Sequence, residues 1–343
     1  MARLLRSRSV LVAVIAAVAI VGVVALAAAE ATTPPDLPSV PADRLIDSSI
    51  TAAADRSLSM SGTVRSHVDL GIPQLPGTAS LPTGPLSILL SDQTFKVWRS
   101  PDGIRVAQLL PAAERDAVLT RTDAWLWDSD RFAAWHAALP GPATTQPASP
   151  GFGDVEAAVS QLLTRLEPFA VVTNAPPAEV AGRPAYVVRL TPSSTPTSDT
   201  LVDRIEVAID AATRVPLRLD VYAVGVAEPV VRLGYTAVSF DSVDPSVFDF
   251  TPPDGAAVHE LGRGAPPDGG AMSPGAPEVH SFGTGFGLIL AVSVPSVPKD
   301  LAPFFPYRGP IASADVVDRG DHAWMVAGVV RPDALARVER KLT

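Results

Sequence analysis

Cysteine is absent from this chain of 343 residues. That removes disulfides, thiolate metal sites and thiol nucleophiles together, along with any lipid carried on an N-terminal cysteine. Lysine is nearly as scarce, with Lys96, Lys299 and Lys341 the only three. The net charge is −9, and it becomes more negative without the arginines at the extreme N-terminus. A chain this acidic offers no basic surface for nucleic acid and no electrostatic pull toward anionic lipid. Signatures of catalysis are missing too. There is no Gly-x-Ser-x-Gly elbow, Gly-x-Gly-x-x-Gly loop or Walker sequence. The five histidines, His67, His136, His259, His280 and His322, are scattered without metal-ligand spacing. Gly283-Thr-Gly-Phe-Gly287 precedes a predicted strand instead of following one and reads as a flexible lead-in. Asp128-Ser-Asp130 reads as a solvated turn. The expectation is a protein that is not an enzyme and carries no cofactor and no metal.

What the chain has in abundance is apolar surface, at 47% of residues. Part of it is N-terminal. Arg3, Arg6 and Arg8 precede the apolar run Val10–Ala29, about 20 residues and long enough to cross a bilayer as a helix. The arginines would stay in the cytoplasm and the body would lie outside. The run is long for a signal peptide and reads as an uncleaved anchor; Ala27-Ala28-Ala29 offers a cleavage site for the alternative, a secreted body.

Composition then divides the chain. Residues 1–30 are the anchor or signal segment, 31–41 a proline-rich stalk, 42–255 the main domain, 256–277 a Gly/Pro-rich linker, and 278–343 a small C-terminal α+β module. In the main domain a helix starts near Pro41 and runs over 42–58, with Leu45, Ile46 and Ile50 on its apolar stripe. A second helix covers 154–169 and presents Val159, Leu162, Leu163 and Leu166. Between them lie hairpins around Ser100-Pro-Asp-Gly103 and Arg121-Thr-Asp123. Phe169–Val172, Val180–Ala181 and Tyr186–Leu190 follow as strands. Leu201–Gly255 is then the clearest pattern in the sequence. Ile205, Val207 and Ile209, then Leu217, Leu219 and Val221, then Val231, Leu233 and Tyr235 alternate with polar residues, which predicts an antiparallel meander. It closes in Asp244-Pro-Ser-Val-Phe-Asp-Phe-Thr-Pro-Pro-Asp-Gly255, where paired prolines end the ladder.

The order of these pieces resembles the LolA/LolB-like superfamily of outer-membrane lipoprotein-sorting proteins, and within it the membrane-anchored actinobacterial members. The residues that carry the resemblance are Ser61-Gly-Thr-Val64, Val97-Trp98, Arg105-Val106, Trp125-Leu-Trp-Asp128, Val180-Ala-Gly-Arg-Pro-Ala-Tyr186, Ile209-Asp210, Val215-Pro-Leu217 and Phe248–Gly255. They span about residues 40–258; the C-terminal module lies outside the match. The resemblance implies an α+β fold in which a half-open antiparallel β-barrel, covered by helices, encloses a hydrophobic cavity for acyl chains. The implied ligand is a lipid or an acylated lipoprotein. An RseB-like envelope-stress sensor, which contacts a membrane signalling or anti-sigma protein through its C-terminal module, is the alternative.

Four of the five tryptophans, Trp98, Trp125, Trp127 and Trp135, fall on neighbouring hairpins. Aromatic residues so placed are candidates for lining such a cavity, and ordinary sheet packing is the other reading. The candidate set is Trp98, Leu109, Trp125, Trp127, Tyr186, Leu219, Tyr222 and Tyr235, beneath lid helices bearing the apolar stripes given above. Alternation alone does not say which face of the meander is concave.

Overall fold

The structure is a computed structural model that describes residues 34–69, 71, 92–139, 163–193, 199–260, 278–297 and 302–342. The expected anchor Val10–Ala29 and the lid residues Val159 and Leu162 lie outside these. No helix among the described residues is long and apolar enough to cross a membrane.

Helix α1 spans Ala42–Ala54 and buries Leu45, Ile46, Ser49 and Ala53, a one-sided stripe at helical spacing. Pro41 caps it in an extended conformation, just before the first helical residue. The helix stops before the expected end at Leu58 because Asp55 turns extended, and its carboxylate accepts from both Ser57 N and Ser57 Oγ. The last carbonyls of a helix carry its negative dipole end and lack partners of their own. Here the guanidinium of Arg99, 3% exposed, donates to Ala53 O at 2.9 Å and to Asp55 O at 2.6 Å.

Twelve strands follow: β1 Met60–Val68, β2 Gln93–Ser100, β3 Gly103–Leu109, β4 Glu114–Thr120, β5 Asp123–Asp128, β6 Ala133–Ala138, β7 Ala170–Val180, β8 Arg183–Pro192, β9 Val202–Asp210, β10 Pro216–Ala223, β11 Val231–Ser239 and β12 Ala257–Glu260. They form one open sheet in the order β12-β6-β5-β4-β3-β2-β1-β11-β10-β9-β8-β7. Every neighbouring pair is antiparallel except β12 with β6. The meander of the sequence is β9–β11. Two expectations change. Phe169–Val172 and Val180–Ala181 are not separate strands, because β7 runs through both and absorbs Pro176-Pro177 in a register shift between Ala175 and Ala178. Those prolines lie on an edge strand, where a missing amide blunts unwanted pairing. Ala257–Glu260, in the stretch assigned to the linker, is a strand paired with β6.

Of the second predicted helix, residues 163–166 make a helical turn, and Pro168 continues it as a 3₁₀ turn at Glu167–Phe169. Leu163 and Leu166 join Leu45 and Ile46 in the main buried cluster. The face of the sheet that receives these residues is called the inner face here.

The remaining strands form a second sheet, β13 Val279–Phe282, β14 Ile289–Val294, β15 Tyr307–Arg308, β16 Ser313–Asp318 and β17 Ala323–Gly328, in the order β13-β14-β17-β16-β15. Helix α2, Pro332–Glu339, covers one side of it through Ala334, Leu335 and Val338. Backbone contacts join the two sheets. Thr200 bridges Val330, Leu201 N donates to Val329 O at 2.9 Å, and Arg331 N donates to Asp199 O at 2.7 Å. Phe286 and Ile311 from the second sheet's connections are buried in the first sheet's core. The glycine-rich Gly283–Gly287 thus serves the joint: the ring of Phe169 lies where a side chain on Gly285 would be.

Replacing Arg99 with alanine would take the donor from the carbonyl of the buried Ala53 and leave Asp55 O with Leu58 N alone, at 3.4 Å. Denaturant unfolding should show a loss of about 2–4 kcal/mol. Gly62→Val should also destabilise, since even a Cβ there would stand 2.6 Å from Ala237 O and 2.7 Å from the Tyr235 ring. A thermal midpoint unchanged by that substitution would contradict the close approach.

Candidate functional site

Strand register decides which side chains share a face, because directly paired residues point the same way. Starting from Val97, which is in the core cluster with α1, the paired row runs Val97–Val106–Ala117–Leu126–Trp135. This row is on the inner face. Along it exposure rises from 1% at Val97 and 7% at Val106 to 43% at Leu126. The next row, Arg99–Ile104–Leu119–Ala124–Ala137, behaves alike, and Leu119 is 37% exposed. The inner face therefore begins as a sealed core under α1 and continues as an open apolar strip across β4–β6. Trp135 lies at its far end, stacked on His259 of β12 at 5.5 Å between ring centroids.

One edge of the strip is polar. The row beside Val106 and Leu126 holds Gln108, Arg115 and Asp128. Asp128 is buried and accepts from Arg115 Nε at 3.3 Å and from Arg131 at 2.9 Å. It is thus part of an ion-paired rim and not the solvated turn its sequence suggested.

The eight cavity candidates do not line one cavity. Tyr186, Leu219 and Tyr235 are on the inner face, in the same buried cluster as Leu45, Ile46, Leu163 and Leu166, with Ile50 packed at its border. Trp98, Leu109, Trp125, Trp127 and Tyr222 are on the opposite, outer face, paired in rows with Arg105, Glu114, Val118, Asp116 and Arg204 in turn. Period-2 alternation makes this unavoidable: Trp125 and Trp127 flank Leu126, so if Leu126 faces in, both tryptophans face out.

The outer face is covered by the chain itself. The segment Asp244–Gly255 crosses β3–β5 as a strap. Asp244 caps its 3₁₀ turn by accepting from Ser246 N, Arg105 donates to Val247 O at 3.2 Å, and Phe248 is buried against Gly103. Phe250 packs on Trp125 and Trp127 with centroids 5.4 and 6.2 Å apart, and Trp98 lies under Arg105. Farther along, the outer face carries a charged row, Arg189–Glu206–Asp220–Arg232. Glu206 and Asp220 are directly opposed, and each is neutralised by two arginines: Arg189 and Arg204 for the first, Arg218 and Arg232 for the second. Arg204 stacks on Tyr222 at 3.5 Å. Burial, with Asp220 and Glu206 nearby, pushes the Tyr222 hydroxyl up from its ordinary range.

Among the described residues no group of three or more His, Asp or Glu is placed to hold a metal. The histidines pair locally, His67 with Asp92, His280 with Glu278 and His322 with Asp321, while His136 meets two carboxylates. Leu119 and Leu126, exposed on the inner face, are absent from the sequence candidates because tryptophan size drew attention to the outer face. The signal that finds them is the hairpin register, counted outward from Val97.

No family model matches the sequence, and no curated protein does. Solved structures overlap it loosely. The complex of Pseudomonas aeruginosa MucA/MucB overlaps with 15% identity, covering 87% of this chain and 96% of that one, at a TM-score of 0.49. A LolA superfamily protein from Nitrosomonas europaea has 9% identity, covers 62% of this chain and 99% of its own, and scores 0.23. A putative outer membrane lipoprotein-sorting protein domain from Vibrio parahaemolyticus has 10% identity with 60% and 95% covered, at 0.22. These neighbours are named for the LolA superfamily, for lipoprotein sorting and for MucB.

An open strip and a sealed core respond differently to truncation. Leu126→Ala should change the unfolding free energy by less than about 1 kcal/mol. Leu217→Ala, at a position 1% exposed on the same face, should cost roughly 2–5 kcal/mol. Equal losses in denaturant titrations would mean that the strip is covered.

Proposed function

We propose that this protein binds acyl chains of a lipid or lipoprotein on the open part of its inner face, outside the cytoplasmic membrane, where its N-terminal segment anchors it. The observation that carries this reading is the row Val97–Val106–Ala117–Leu126–Trp135. It runs from the core into solvent without changing from apolar to polar, as a sheet face with one wet side ordinarily does. Acyl chains need only such area, at about 25 cal/mol per Å² buried or roughly 0.8 kcal/mol per methylene. Affinity of that kind requires no catalytic group and no exact polar fit. The Gln108–Arg115–Asp128 rim gives a polar head somewhere to rest while the chain lies on Ala117, Leu119 and Leu126. An anchored binder holds or presents its ligand locally instead of shuttling it between membranes.

A second reading, regulation of a membrane signalling protein, is favoured by one feature of the second sheet. Its edge strand β13 is exposed throughout its length but for Phe282, with Val279 47% exposed. An unpaired edge accepts an extended peptide as a further strand. Under this reading Val279→Lys should abolish co-purification of a membrane protein partner.

The binding reading is tested by mass spectrometry of lipids extracted from protein purified without detergent from its native envelope. A stoichiometric lipid or acylated peptide is expected. Leu126→Asp on the inner strip should lower occupancy several-fold, and Leu109→Asp on the outer face should leave it unchanged. A protein that stays empty after incubation with native lipids, or equal effects of the two substitutions, would refute it.

A further inference from the structure

The sheet ends in a strand that a single histidine ties down from both sides. His136 of β6 is on the outer face, its ring stacked on Trp125 with centroids 4.1 Å apart. Its Nε2 is 2.8 Å from Asp123 Oδ1 of β5, and its Nδ1 is 3.0 and 3.1 Å from the two carboxylate oxygens of Glu260 of β12. Ionised carboxylates only accept hydrogen bonds. Neutral imidazole has one N–H and one bare nitrogen, so it satisfies one of these partners and sets a lone pair against the other. Only imidazolium donates to both.

The charges facing this ring are acidic from each element packed on it. Asp123 comes from β5 and Glu260 from β12. The strap that brings Phe250 against Trp125 carries Asp244, Asp249 and Asp254 and has no basic residue. On the same face Arg105 is already engaged by Asp116 and by Val247 O. The Asp123 hydrogen bond above all raises the His136 pKa; desolvation, next in size, opposes it, and the Glu260 bond and charge add to the rise.

β12 has little else to hold it. It is four residues long, all of them exposed, in the one parallel pairing of the sheet. Its other side chain of consequence is His259, which stacks on Trp135 at the end of the open inner strip. One strand thus grips β6 from two sides, through Glu260 outside and His259 inside.

We propose that His136 is a proton-dependent latch, which docks β12 on β6 while protonated and releases it when neutral. Release frees the strand between the strap and residues 261–277, and it lifts His259 from Trp135. The latch stands whatever the strip holds; its effect on the strip's ligand rests on the function proposed above. The sign follows from the histidine being stabilised in its charged form. Docking is complete below the value of about 6.5 for a free histidine and is lost as pH rises through the higher value of the docked one.

Two measurements on the full chain, without ligand, test this. Histidine ring NMR, with His136 assigned by its absence in His136→Phe, should give a midpoint above about 6.5, lowered in Glu260→Gln. Hydrogen exchange of residues 257–260, corrected for intrinsic rates, should lose protection as pH passes that midpoint, while β9 keeps its own. In His136→Phe, which retains the ring stack, protection at β12 should be low at every pH. Glu260 is exposed, so Glu260→Gln guards against a folding defect in the other variant. A His136 midpoint at or below about 6.5, or a β12 pH course identical in wild type and His136→Phe, would overturn the latch.

Discussion

The structure depends on a mismatch of area: among the described residues, an open sheet of twelve strands offers more inner face than α1 and the helical turn at 163–166 cover. Sheet faces must be buried on something or become polar. Here α1, together with Leu163 and Leu166, seals the inner face over the β7–β11 half and as far as β3. Beyond Val106 the rows through Leu119 and Leu126 stay apolar and open, beside the Gln108–Arg115–Asp128 rim. Apolar area exposed in this way is costly to keep in a monomer unless it is used. That cost is the physical case for a ligand.

The outer face obeys the opposite rule. Its charged row opposes Glu206 to Asp220 across β9 and β10, an arrangement that repels unless arginines stand between the acids and solvent. Four arginines do so, and Tyr222 is buried beneath one of them. Over β3–β5 the strap replaces charge with Phe248 and Phe250, so the tryptophans there are part of a covering layer. With no cysteine in the chain, ion pairs and the strap tie distant elements together where disulfides cannot.

Much of the sheet was legible in the sequence, and the site was not. Ile205, Val207 and Ile209 against Arg204 and Glu206 identify β9 without help, because alternation is a local signal. β7 was divided because Pro176-Pro177 normally ends a strand; its place at the sheet edge, which tolerates the missing amides, is a non-local fact. β12 was hidden in a Gly- and Pro-rich stretch, since its order comes from β6 and from His136 and not from its own residues. That Trp98, Trp125 and Trp127 are on the face opposite Tyr186, Leu219 and Tyr235 was hidden for a related reason. Alternation shows that Leu126 and Trp127 face apart, but the register through three hairpins is needed to say which faces α1.

The most direct test of an acyl chain on the inner strip uses the tryptophans, which the fold places on known sides. Variants retaining only Trp135, or only Trp98, with the remaining tryptophans changed to phenylalanine, are titrated with a fatty acid brominated along its chain. Bromine quenches indole fluorescence only on close approach. Saturable quenching of Trp135 with Trp98 unaffected is the predicted result. Quenching of Trp98 alone, or of both equally, would place the chain elsewhere and contradict the account.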